Sequence, residues 1–389
     1  MSPLVWDLAH VGNFEELWLL REAAGQAAID PSLDDLYDAF RHPRANRPAL
    51  PLLGPAEARR YIADVRGRVL DTLERVDLDE RPLLARGFVY GMVVQHEHQH
   101  DETMLATLQL MDGPGYRPLA PPPSAGSALP DEVEIPGGPF VMGTDDEAWA
   151  YDNERPAHVV DLPAFRIDTA PVTNGAYAGF VADGGYDDPR WWTEEGWAWR
   201  RKEDLRHPQF WRGEGGRRWS RLRFGWREDL PMDEPVQHVC WYEADAYARW
   251  AGKRLPTEAE WEKAASWGPD GRKRRFPWGD REDDGRANLG QTHFRPAPVG
   301  AYPAGASAYG CHQMVGDVWE WTSSGFEPYP GFATFPYREY SEVFFASGYK
   351  VLRGGSWATS PLAVRTTFRN WDYPIRRQIF AGFRCARDV

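Results

Sequence analysis

The sequence predicts an α+β protein of more than one domain, with a helical N-terminal region followed by a larger region of short strands and long loops. Residues 4–111 carry apolar side chains at spacings of three and four, which is the period of an amphipathic helix. Six prolines interrupt that period in residues 113–130. Beyond them, short apolar runs alternate with clusters of Gly, Pro and Asp. With 389 residues, 42% of them hydrophobic, the chain can bury a core in each of two or three domains.

The N-terminal region, residues 1–112, is expected to form an α-helical bundle. Pro55 stands where a helix can begin, because the N–H that proline lacks is one that the first turn of a helix leaves unpaired in any case. Four segments show helical spacing, namely residues 7–23, 34–42, 55–76 and 86–111.

The proline-rich segment, residues 113–130, has the composition of a semi-rigid extended linker and is the predicted domain boundary. The second domain then covers residues 131–389. Two helices are predicted inside it, at residues 242–252 and 257–266, and the rest is predicted to consist of short strands and irregular loops.

Charge and cysteine content narrow the class of protein. A formal net charge of −13 disfavours binding of nucleic acid. The three cysteines lie far apart in the sequence without a CxxC pair, which favours a reducing compartment. The first twenty residues have no basic stretch and no long uncharged apolar run, so neither an export signal nor a membrane span is predicted. We therefore expect a monomeric cytoplasmic protein with small-molecule partners, without nucleic-acid or membrane partners.

A histidine-rich motif, HEHQH, begins at His96 and matches the HExxH pattern of zinc proteases. On a helix His96 and His100 lie on one face one turn apart, whereas the histidine between them points about 200° away from His96. The metzincin form of the motif requires Gly at the position of Thr103 and His at the position of Ala106. Because both requirements fail, the sequence disfavours a zinc protease.

A third metal ligand is available upstream, at His10. In a helical bundle, one histidine from one helix and an i,i+4 pair from another make a facial set of three imidazoles. Such a set suits Fe(II) that binds a substrate together with O₂, and zinc, cobalt and copper are compatible with the same donors. The simplest alternative is that these are surface or core histidines without a metal.

Motifs in both regions resemble one protein family. The first region contains SPLVWDLAHVGNFEELWLLR, LYDAFRHPRANR and HEHQHDETML, and the second contains DNERPAHVVDLPAFRI, RLPTEAEWEKAA, GDVWEWTSS, VLRGGSW and FRNWDYPIRRQIFAGFR. Over essentially the whole chain they resemble the ergothioneine-biosynthesis sulfoxide synthases, the EgtB-type hercynine oxygenases. The resemblance implies a DinB-like helical bundle joined to a C-type-lectin-like domain of the formylglycine-generating, or sulfatase-modifying, kind. Because nine residues precede His10, we expect the family's leading helix to be short or absent.

The resemblance also implies a reaction. It is that of a non-haem Fe(II) enzyme that uses O₂ to join the thiol of γ-glutamylcysteine to C2 of the hercynine imidazole, giving γ-glutamyl-hercynylcysteine S-oxide. By motif matching, the iron ligands are His10, His96 and His100. Glu97 then has no protease role, and we expect it either to orient a ligand histidine or to be solvated. Tyr337 matches the tyrosine that donates a proton and directs oxidation toward C–S bond formation rather than thiol dioxygenation.

Eight further residues match the substrate-binding residues of the family. Guanidinium and carboxylate groups suit the charged ends of γ-glutamylcysteine. Hercynine carries a quaternary ammonium, for which Trp371 is the expected aromatic face and Glu102 the expected counter-charge. Asn370 is expected to hold the hercynine carboxylate, and Gln99 to orient the imidazole directly or through water. The expected residues are Arg44, Arg47, Asp372 and Arg376 for γ-glutamylcysteine, and Gln99, Glu102, Asn370 and Trp371 for hercynine.

Three other interpretations remain from the sequence. Formylglycine generation needs paired cysteines that hold copper near the C-terminal motif, and residues 365–377 contain none. An ovothiol-type synthase, which uses histidine with cysteine, shares both domains but usually carries a methyltransferase domain, for which we expect no room before Val389. A non-catalytic lectin-like binding module would leave the three histidines without a purpose.

Overall fold

The structure is a computed structural model, and it describes residues 1–78, 81–111, 115–118, 120–126, 128–216, 218–283 and 285–389. Contacts between Cα atoms divide the chain into two compact units. The first unit consists of Met1–Met111 and Asp146–Trp149, and the second contains the other described residues up to Val389. Residues 113, 114, 119 and 127 of the predicted linker lie outside the described residues, so the extent of that linker stays a prediction.

The first unit is helical, as predicted. Its longest helix, α4, contains both histidines of the HExxH-like motif, and α1 contains His10 and packs against both α3 and α4. The helices are α1 (Leu4–Glu15), which continues as a π-helical stretch over Glu16–Glu22, α2 (Ser32–Leu36), α3 (Pro55–Leu73) and α4 (Phe88–Leu110).

Helix α3 begins at Pro55, as the sequence predicts. The Glu57 carboxylate accepts a hydrogen bond from the Gly54 N–H at 2.8 Å, which satisfies a donor just before the first turn. The buried side chains of this helix follow the predicted spacing of three and four, and they are Ala58, Tyr61, Val65 and Val69.

The helix predicted at residues 34–42 is wrong beyond Leu36, where α2 ends. The Asp38 carboxylate accepts hydrogen bonds from the backbone N–H groups of Phe40 and Arg41, at 2.7 and 3.3 Å. A side chain that bonds the backbone two and three residues later competes with the helical pattern. The local turn at Asp38 therefore replaces the predicted helix.

The second unit combines four small sheets with four helices. Both predicted helices are present as α7 and α8, whereas α5 and α6 were not predicted. The helices are α5 (Asn174–Ala182), α6 (Glu194–Lys202), α7 (Trp241–Trp250) and α8 (Glu258–Ser266). The strands are β1 (Glu132–Ile135), β2 (Gly138–Met142), β3 (His158–Leu162), β4 (Phe165–Asp168), β5 (Trp211–Gly213), β6 (Trp219–Arg223), β7 (Trp226–Asp229), β8 (Trp319–Gly325), β9 (Lys350–Arg353), β10 (Asn370–Asp372), β11 (Ala381–Gly382) and β12 (Ala386–Asp388).

Strand order in the second unit joins segments that are distant in sequence. The sheets have the orders β1-β4-β12, β10-β9-β8-β11, β2-β3 and β5-β6-β7, and β11 pairs with β8 in parallel while the other pairs are antiparallel. The strand β10, which carries predicted substrate-binding residues, lies at the edge of its sheet next to β9. An apolar core lies beside the first sheet, around Phe165, Ile167 and Trp261.

Buried ion pairs fix the segment that leads into β10. Arg369 is 2% exposed, and its Nε donates to Glu258 Oε1 at 2.7 Å while its Nη1 donates to the carbonyl of Asn153 at 2.7 Å. A buried charge needs such partners to offset its lost hydration. The backbone immediately before Asn370 is therefore anchored.

Among the described residues, no helix combines the length and apolar character that crossing a membrane requires.

Candidate metal centre and substrate-binding residues

The structure brings the three predicted ligand histidines together inside the first unit. His10 comes from α1, and His96 and His100 come from α4, one turn apart. Each histidine offers one ring nitrogen such that all three nitrogens lie within 4.8 Å of one another. The ring centroids are 4.6 to 5.1 Å apart. His98, by contrast, pairs with Asp101 at 3.3 Å and is not part of the cluster.

Hydrogen bonds orient two of the three imidazoles. The Nδ1 of His10 lies 2.8 Å from the carbonyl oxygen of Tyr37, and the Nδ1 of His100 lies 3.0 Å from Asp7 Oδ1. Because a carbonyl and a carboxylate accept, Nδ1 donates in both rings, and the lone pair of each neutral imidazole is then at Nε2. Metal-binding histidines usually donate from the other nitrogen in this way. The Nδ1 of His96 is buried without a hydrogen-bond partner.

Burial keeps two of the three imidazoles, those of His10 and His96, in the neutral form that a metal requires. Burial, followed by the proximity of His100, lowers the pKa of both His10 and His96 well below the ordinary value. His10 stacks on Trp6 with ring centroids 4.7 Å apart, and His96 stacks on Phe14 at 3.7 Å. The aromatic surroundings therefore limit both the hydration and the rotation of the two rings. The three imidazoles, placed on two helices, form a set of nitrogen donors that fits a transition-metal ion.

Asp7 is a residue of this centre that the sequence reasoning missed. Its side chain is 1% exposed and accepts the hydrogen bond from His100. The available signal was its position on α1, three residues before His10 and thus close to the same helix face. Glu97, considered for this role, instead accepts a hydrogen bond from Arg66 Nη2 at 2.8 Å. The carboxylate that orients a histidine of this cluster is thus Asp7 rather than Glu97.

The substitution Asp7→Asn is expected to weaken binding of Fe(II) by about tenfold or more. Without the negative charge of Asp7, the His100 imidazole is less basic and gives its electron pair to a metal less readily. Metal affinity is to be measured by competition with a chromogenic chelator. Asp101→Asn is the matched control, since Asp101 contacts a histidine of the same helix outside the cluster. Equal affinities of the two variants would contradict the role given to Asp7.

The two predicted arginines of the first unit differ in their surroundings. Arg44 is exposed. Arg47 is 5% exposed, and its three nitrogens donate to the carbonyls of His42 and Ala39 and to the Ser2 hydroxyl, at 2.6 to 3.0 Å. Burial, followed by the charge of Arg44, lowers the pKa of Arg47 to about 10. Arg47 thus fixes its own loop. These contacts use three of its five N–H groups, and the other two can donate to a further partner.

Arg47 also connects to the histidine cluster through an aromatic ring. Its guanidinium lies 3.5 Å from the ring centroid of Trp6, which is the ring that stacks on His10. On α4, Gln99 and Glu102 are half-buried. Gln99 lies about 60° around the helix from His96 and Glu102 about 120°, so Gln99 is the nearer of the two to the face that carries the cluster.

Tyr337 belongs to the second unit, in a loop without helix or strand. It is half-buried, and burial raises the pKa of its phenol well above the ordinary value, with further contributions from Tyr151, Asp152 and Glu339. Its ring lies 6.2 Å from that of Tyr340 in an edge-on arrangement. A phenol carries its proton at neutral pH, and the raised pKa makes that proton harder to remove, so it can be donated only to a strong base.

The predicted residues on β10 form a second local group in this unit. Trp371 stacks on Phe326 with centroids 4.0 Å apart and lies 5.8 Å from Tyr340. Asn370 uses its Oδ1 to accept from the Trp371 N–H at 2.8 Å. One face of the Trp371 ring is therefore occupied by Phe326. The ring of Tyr340 neighbours both that of Trp371, at 5.8 Å, and that of Tyr337, at 6.2 Å, so the two predicted residues share a common aromatic neighbour.

Asp372 and Arg376 pair with each other. The Nε of Arg376 donates to Asp372 Oδ1 at 3.0 Å, and the side chains are 27% and 21% exposed. The next residue, Arg377, forms a bidentate contact with buried Glu243, at 2.8 and 2.9 Å. This contact fixes the end of the segment to α7. The predicted cation and anion are therefore held together, partly open to solvent, on an anchored turn.

Comparison with known protein families first defines the class of the protein. Residues 1–104 match the DinB superfamily model, and residues 119–389 match the model of the sulfatase-modifying factor enzyme 1-like domain. The chain thus combines a DinB-type helical region, which carries the histidine cluster, with a sulfatase-modifying-factor domain. This confirms the predicted fold class.

Curated relatives define the family. The chain is 57% identical over its full length to the hercynine oxygenase of Mycolicibacterium thermoresistibile and 56% identical to that of Mycobacterium tuberculosis, covering 88% and 92% of those proteins. It is also 36% identical, over 66% of its length, to the formylglycine-generating enzyme of Streptomyces coelicolor, covering 89% of that protein. The chain belongs to the hercynine oxygenase family, a family of oxygenases.

The cysteines bear on the formylglycine-generating alternative. All three cysteines of the sequence lie in the described part of the chain, and all are buried and free. Burial raises the pKa of the Cys240 and Cys385 thiols well above the ordinary value. The described structure therefore offers no pair of reactive cysteines for copper, in agreement with the sequence analysis.

Proposed function

We propose that the protein is a non-haem Fe(II)-dependent sulfoxide synthase of ergothioneine biosynthesis. It joins γ-glutamylcysteine to C2 of the hercynine imidazole with O₂ and gives γ-glutamyl-hercynylcysteine S-oxide. One bond forms between sulfur and C2, one oxygen atom of O₂ enters the sulfoxide, and the other leaves as water with the thiol proton and the C2 proton. Full-length similarity to hercynine oxygenases, combined with the cluster of three histidines, is the observation that carries this proposal.

His10, His96 and His100 would hold the iron. The fit rests on three imidazoles, of which His10 and His96 are kept neutral by burial, while His10 and His100 are oriented through Nδ1. A set of three protein ligands would leave the ion able to accept further ligands. Bound Fe(II) would supply the position at which O₂ binds and would pass on to O₂ the electrons that the two organic substrates give up. The remaining work falls to side chains that bind the two organic substrates and move a proton.

Tyr337 is the proposed proton donor. Its raised pKa keeps the phenol protonated until oxygen chemistry creates a stronger base. Trp371 offers the aromatic face for the trimethylammonium group of hercynine, with Glu102 as counter-charge and Gln99 as a partner of the imidazole. Asn370 is the proposed partner of the hercynine carboxylate. Its Oδ1 accepts from the neighbouring backbone N–H, and its side-chain NH₂ group can donate to the carboxylate.

The charged ends of γ-glutamylcysteine are assigned to arginines and to one carboxylate. Arg44 and Arg47 are the proposed partners of its carboxylates, and the exposed Arg44 offers the whole guanidinium fork. Asp372 would accept from the γ-glutamyl ammonium while Arg376 binds the adjacent carboxylate. Asp372 and Arg376 already pair with each other at 3.0 Å, and the ammonium and the carboxylate of the bound head group would take the place of the opposite partner at each side chain.

Asp372→Asn is expected to lower the preference for γ-glutamylcysteine over cysteine by about tenfold, because the hydrogen bond to the γ-glutamyl ammonium loses its negatively charged acceptor. The ratio of kcat/KM for the two thiols, with hercynine held constant, measures this preference. Asp245→Asn is the matched control, since Asp245 and Arg249 form a pair of the same i,i+4 type elsewhere in the second unit. An unchanged ratio in the Asp372 variant would remove that residue from the thiol site.

Oxygen consumption tests the proposed function. The Fe(II)-loaded protein is given hercynine and γ-glutamylcysteine, and each is omitted in turn. The proposal expects fast uptake only with both substrates. Uptake with histidine and cysteine but not with hercynine would favour the ovothiol-type alternative, and no uptake with any pair despite bound iron would favour a non-catalytic binding module.

A further inference from the structure

The loop that carries Tyr337 is held at its base by a distant segment. This Tyr337 loop, residues 335–341, contains no regular secondary structure. Just outside it, the hydroxyl of Thr334 donates to the carboxylate of Glu342 and closes the loop ends in a half-buried position. The contacts at residues 335 and 341 themselves come from a short 3₁₀ segment, Asp152–Glu154, almost two hundred residues earlier.

One carboxylate, that of Asp152, contacts both ends of the Tyr337 loop. Its Oδ2 accepts from the backbone N–H of Phe335 at 3.2 Å, and its Oδ1 accepts from the hydroxyl of Ser341. Asp152 is 2% exposed and Ser341 is fully buried. A buried ionised carboxylate gives strong hydrogen bonds that water does not weaken. The carboxylate therefore fixes the distance between the two loop ends that flank Tyr337.

The neighbours of Asp152 reinforce this attachment. The amide Nδ2 of Asn153 donates to Ser341 Oγ at 3.0 Å. The ring of Tyr151 stacks on that of Tyr340, with centroids 3.9 Å apart and planes 18° apart. Tyr340 is in turn the ring next to Tyr337. Consecutive residues 151–153 thus contact the loop at its first residue, at its last residue and beside the reactive phenol.

The segment that anchors the loop is itself rigidly held. Glu154 is buried and forms an ion pair with Arg365, and it also accepts from the Thr367 hydroxyl at 2.7 Å. The carbonyl of Asn153 accepts from buried Arg369 at 2.7 Å. A buried network with satisfied partners resists displacement. The Asp152 carboxylate, which belongs to this rigid segment, holds the Tyr337 loop by its hydrogen bonds to Phe335 and Ser341.

We propose that Asp152 is a positioning residue for the reaction, holding the Tyr337 loop so that the phenol directs oxygen chemistry toward C–S bond formation. This inference rests on the proposed function and adds to it a residue that touches neither substrate. Burial raises the pKa of Asp152 to about 6, against the opposing hydrogen bonds from Ser341, Phe335 and Asn153. Experiments at a pH well above this value therefore examine the ionised carboxylate.

The test uses the full-length, iron-loaded protein with Asp152→Ala and Ser341→Ala. Ser341→Ala removes one of the two hydrogen bonds between Asp152 and the loop with only a small change in side-chain volume. It replaces Asp152→Ala as the test variant if Asp152→Ala does not fold. Ser307→Ala is the matched control, because Ser307 is a buried serine of the same unit whose hydroxyl accepts from the Cys311 N–H. Amide hydrogen exchange of residues 334–342 is measured first, and about fivefold faster exchange is expected in both loop variants but not in the control.

The second readout is the ratio of cysteine-derived sulfinate to sulfoxide conjugate at saturating substrates. We expect Asp152→Ala to raise this ratio about fivefold or more, with KM for both substrates changed less than about twofold. Combined with Tyr337→Phe, the substitution should add nothing to the ratio that Tyr337→Phe gives alone. Such non-additivity shows that Asp152 acts through the tyrosine, whereas a general structural defect would add to it.

Three outcomes would overturn the inference. Unchanged exchange of residues 334–342 in both loop variants would show that Asp152 does not hold the loop. An unchanged product ratio in both, together with a clear shift in Tyr337→Phe, would refute the positioning role while the proposed function stands. An unchanged ratio in Tyr337→Phe itself would refute the proton-donor role in the proposed function, and the positioning role would fall with it.

Discussion

Replacement of His100 by alanine is expected to abolish stable binding of Fe(II), with a loss of affinity of at least about a hundredfold, since a direct ligand contributes more than the residue that orients it. Oxygen consumption with both substrates should fall to the background rate. The physical reason is the small number of donors: three imidazoles make up the candidate centre in the described part of the chain, so removal of one leaves two. Affinity is measured by chelator competition, which does not depend on catalysis.

His98→Ala is the control for this prediction. His98 lies on the same helix, two residues from both ligand histidines, but its ring pairs with Asp101. It should keep wild-type iron affinity and activity. Retention of iron by the His100 variant, or an equal loss in the His98 variant, would contradict the assignment of the centre.

Tyr337→Phe is expected to lower formation of the sulfoxide conjugate by about a hundredfold and to make the sulfinate of the thiol substrate the main product. The substitution keeps the ring and its packing but removes the proton that the phenol supplies, and general acid catalysis typically contributes this much. Products are separated and identified by mass at equal extents of oxygen uptake. Iron binding should be unchanged, because Tyr337 is not part of the histidine cluster.

Two other tyrosines make this experiment specific. Tyr309→Phe removes a hydroxyl from a half-buried tyrosine packed against the core of the second unit and should leave the product ratio unchanged. Tyr340→Phe tests the neighbouring ring, 6.2 Å from Tyr337. A switch to sulfinate in the Tyr340 variant, with none in Tyr337→Phe, would transfer the proton-donor role to Tyr340.

The histidine cluster was accessible from sequence because helical geometry is regular. Two histidines at i and i+4 must share a face, and an apolar helix with one further histidine supplies the third donor. Asp7 was not accessible in the same way. Its contact with His100 crosses between two helices, and the angle and depth of that crossing are set by packing rather than by the local pattern. The sequence therefore predicted the donors but not the carboxylate that orients one of them.

Errors in the second unit have similar physical causes. The helix α5, with the sequence NGAYAGFVA, is mostly apolar and contains two glycines, so it shows no amphipathic period. The strand β12, at the end of the chain, pairs with β4 more than two hundred residues earlier, which no local signal indicates. The contacts between Asp152 and the Tyr337 loop are equally non-local. Family resemblance located Tyr337 in the sequence, and its attachment emerges only from the structure.

The most direct test of the central claim is the mass of the product formed by the Fe(II)-loaded protein from hercynine, γ-glutamylcysteine and ¹⁸O₂. We expect one conjugate whose mass equals that of the two substrates minus two hydrogen atoms plus one labelled oxygen. The same reaction with His100→Ala should yield no conjugate. Oxidised thiol without any conjugate, or a conjugate that carries no label, in a protein with fully bound iron would show that the protein is not a sulfoxide synthase of this kind.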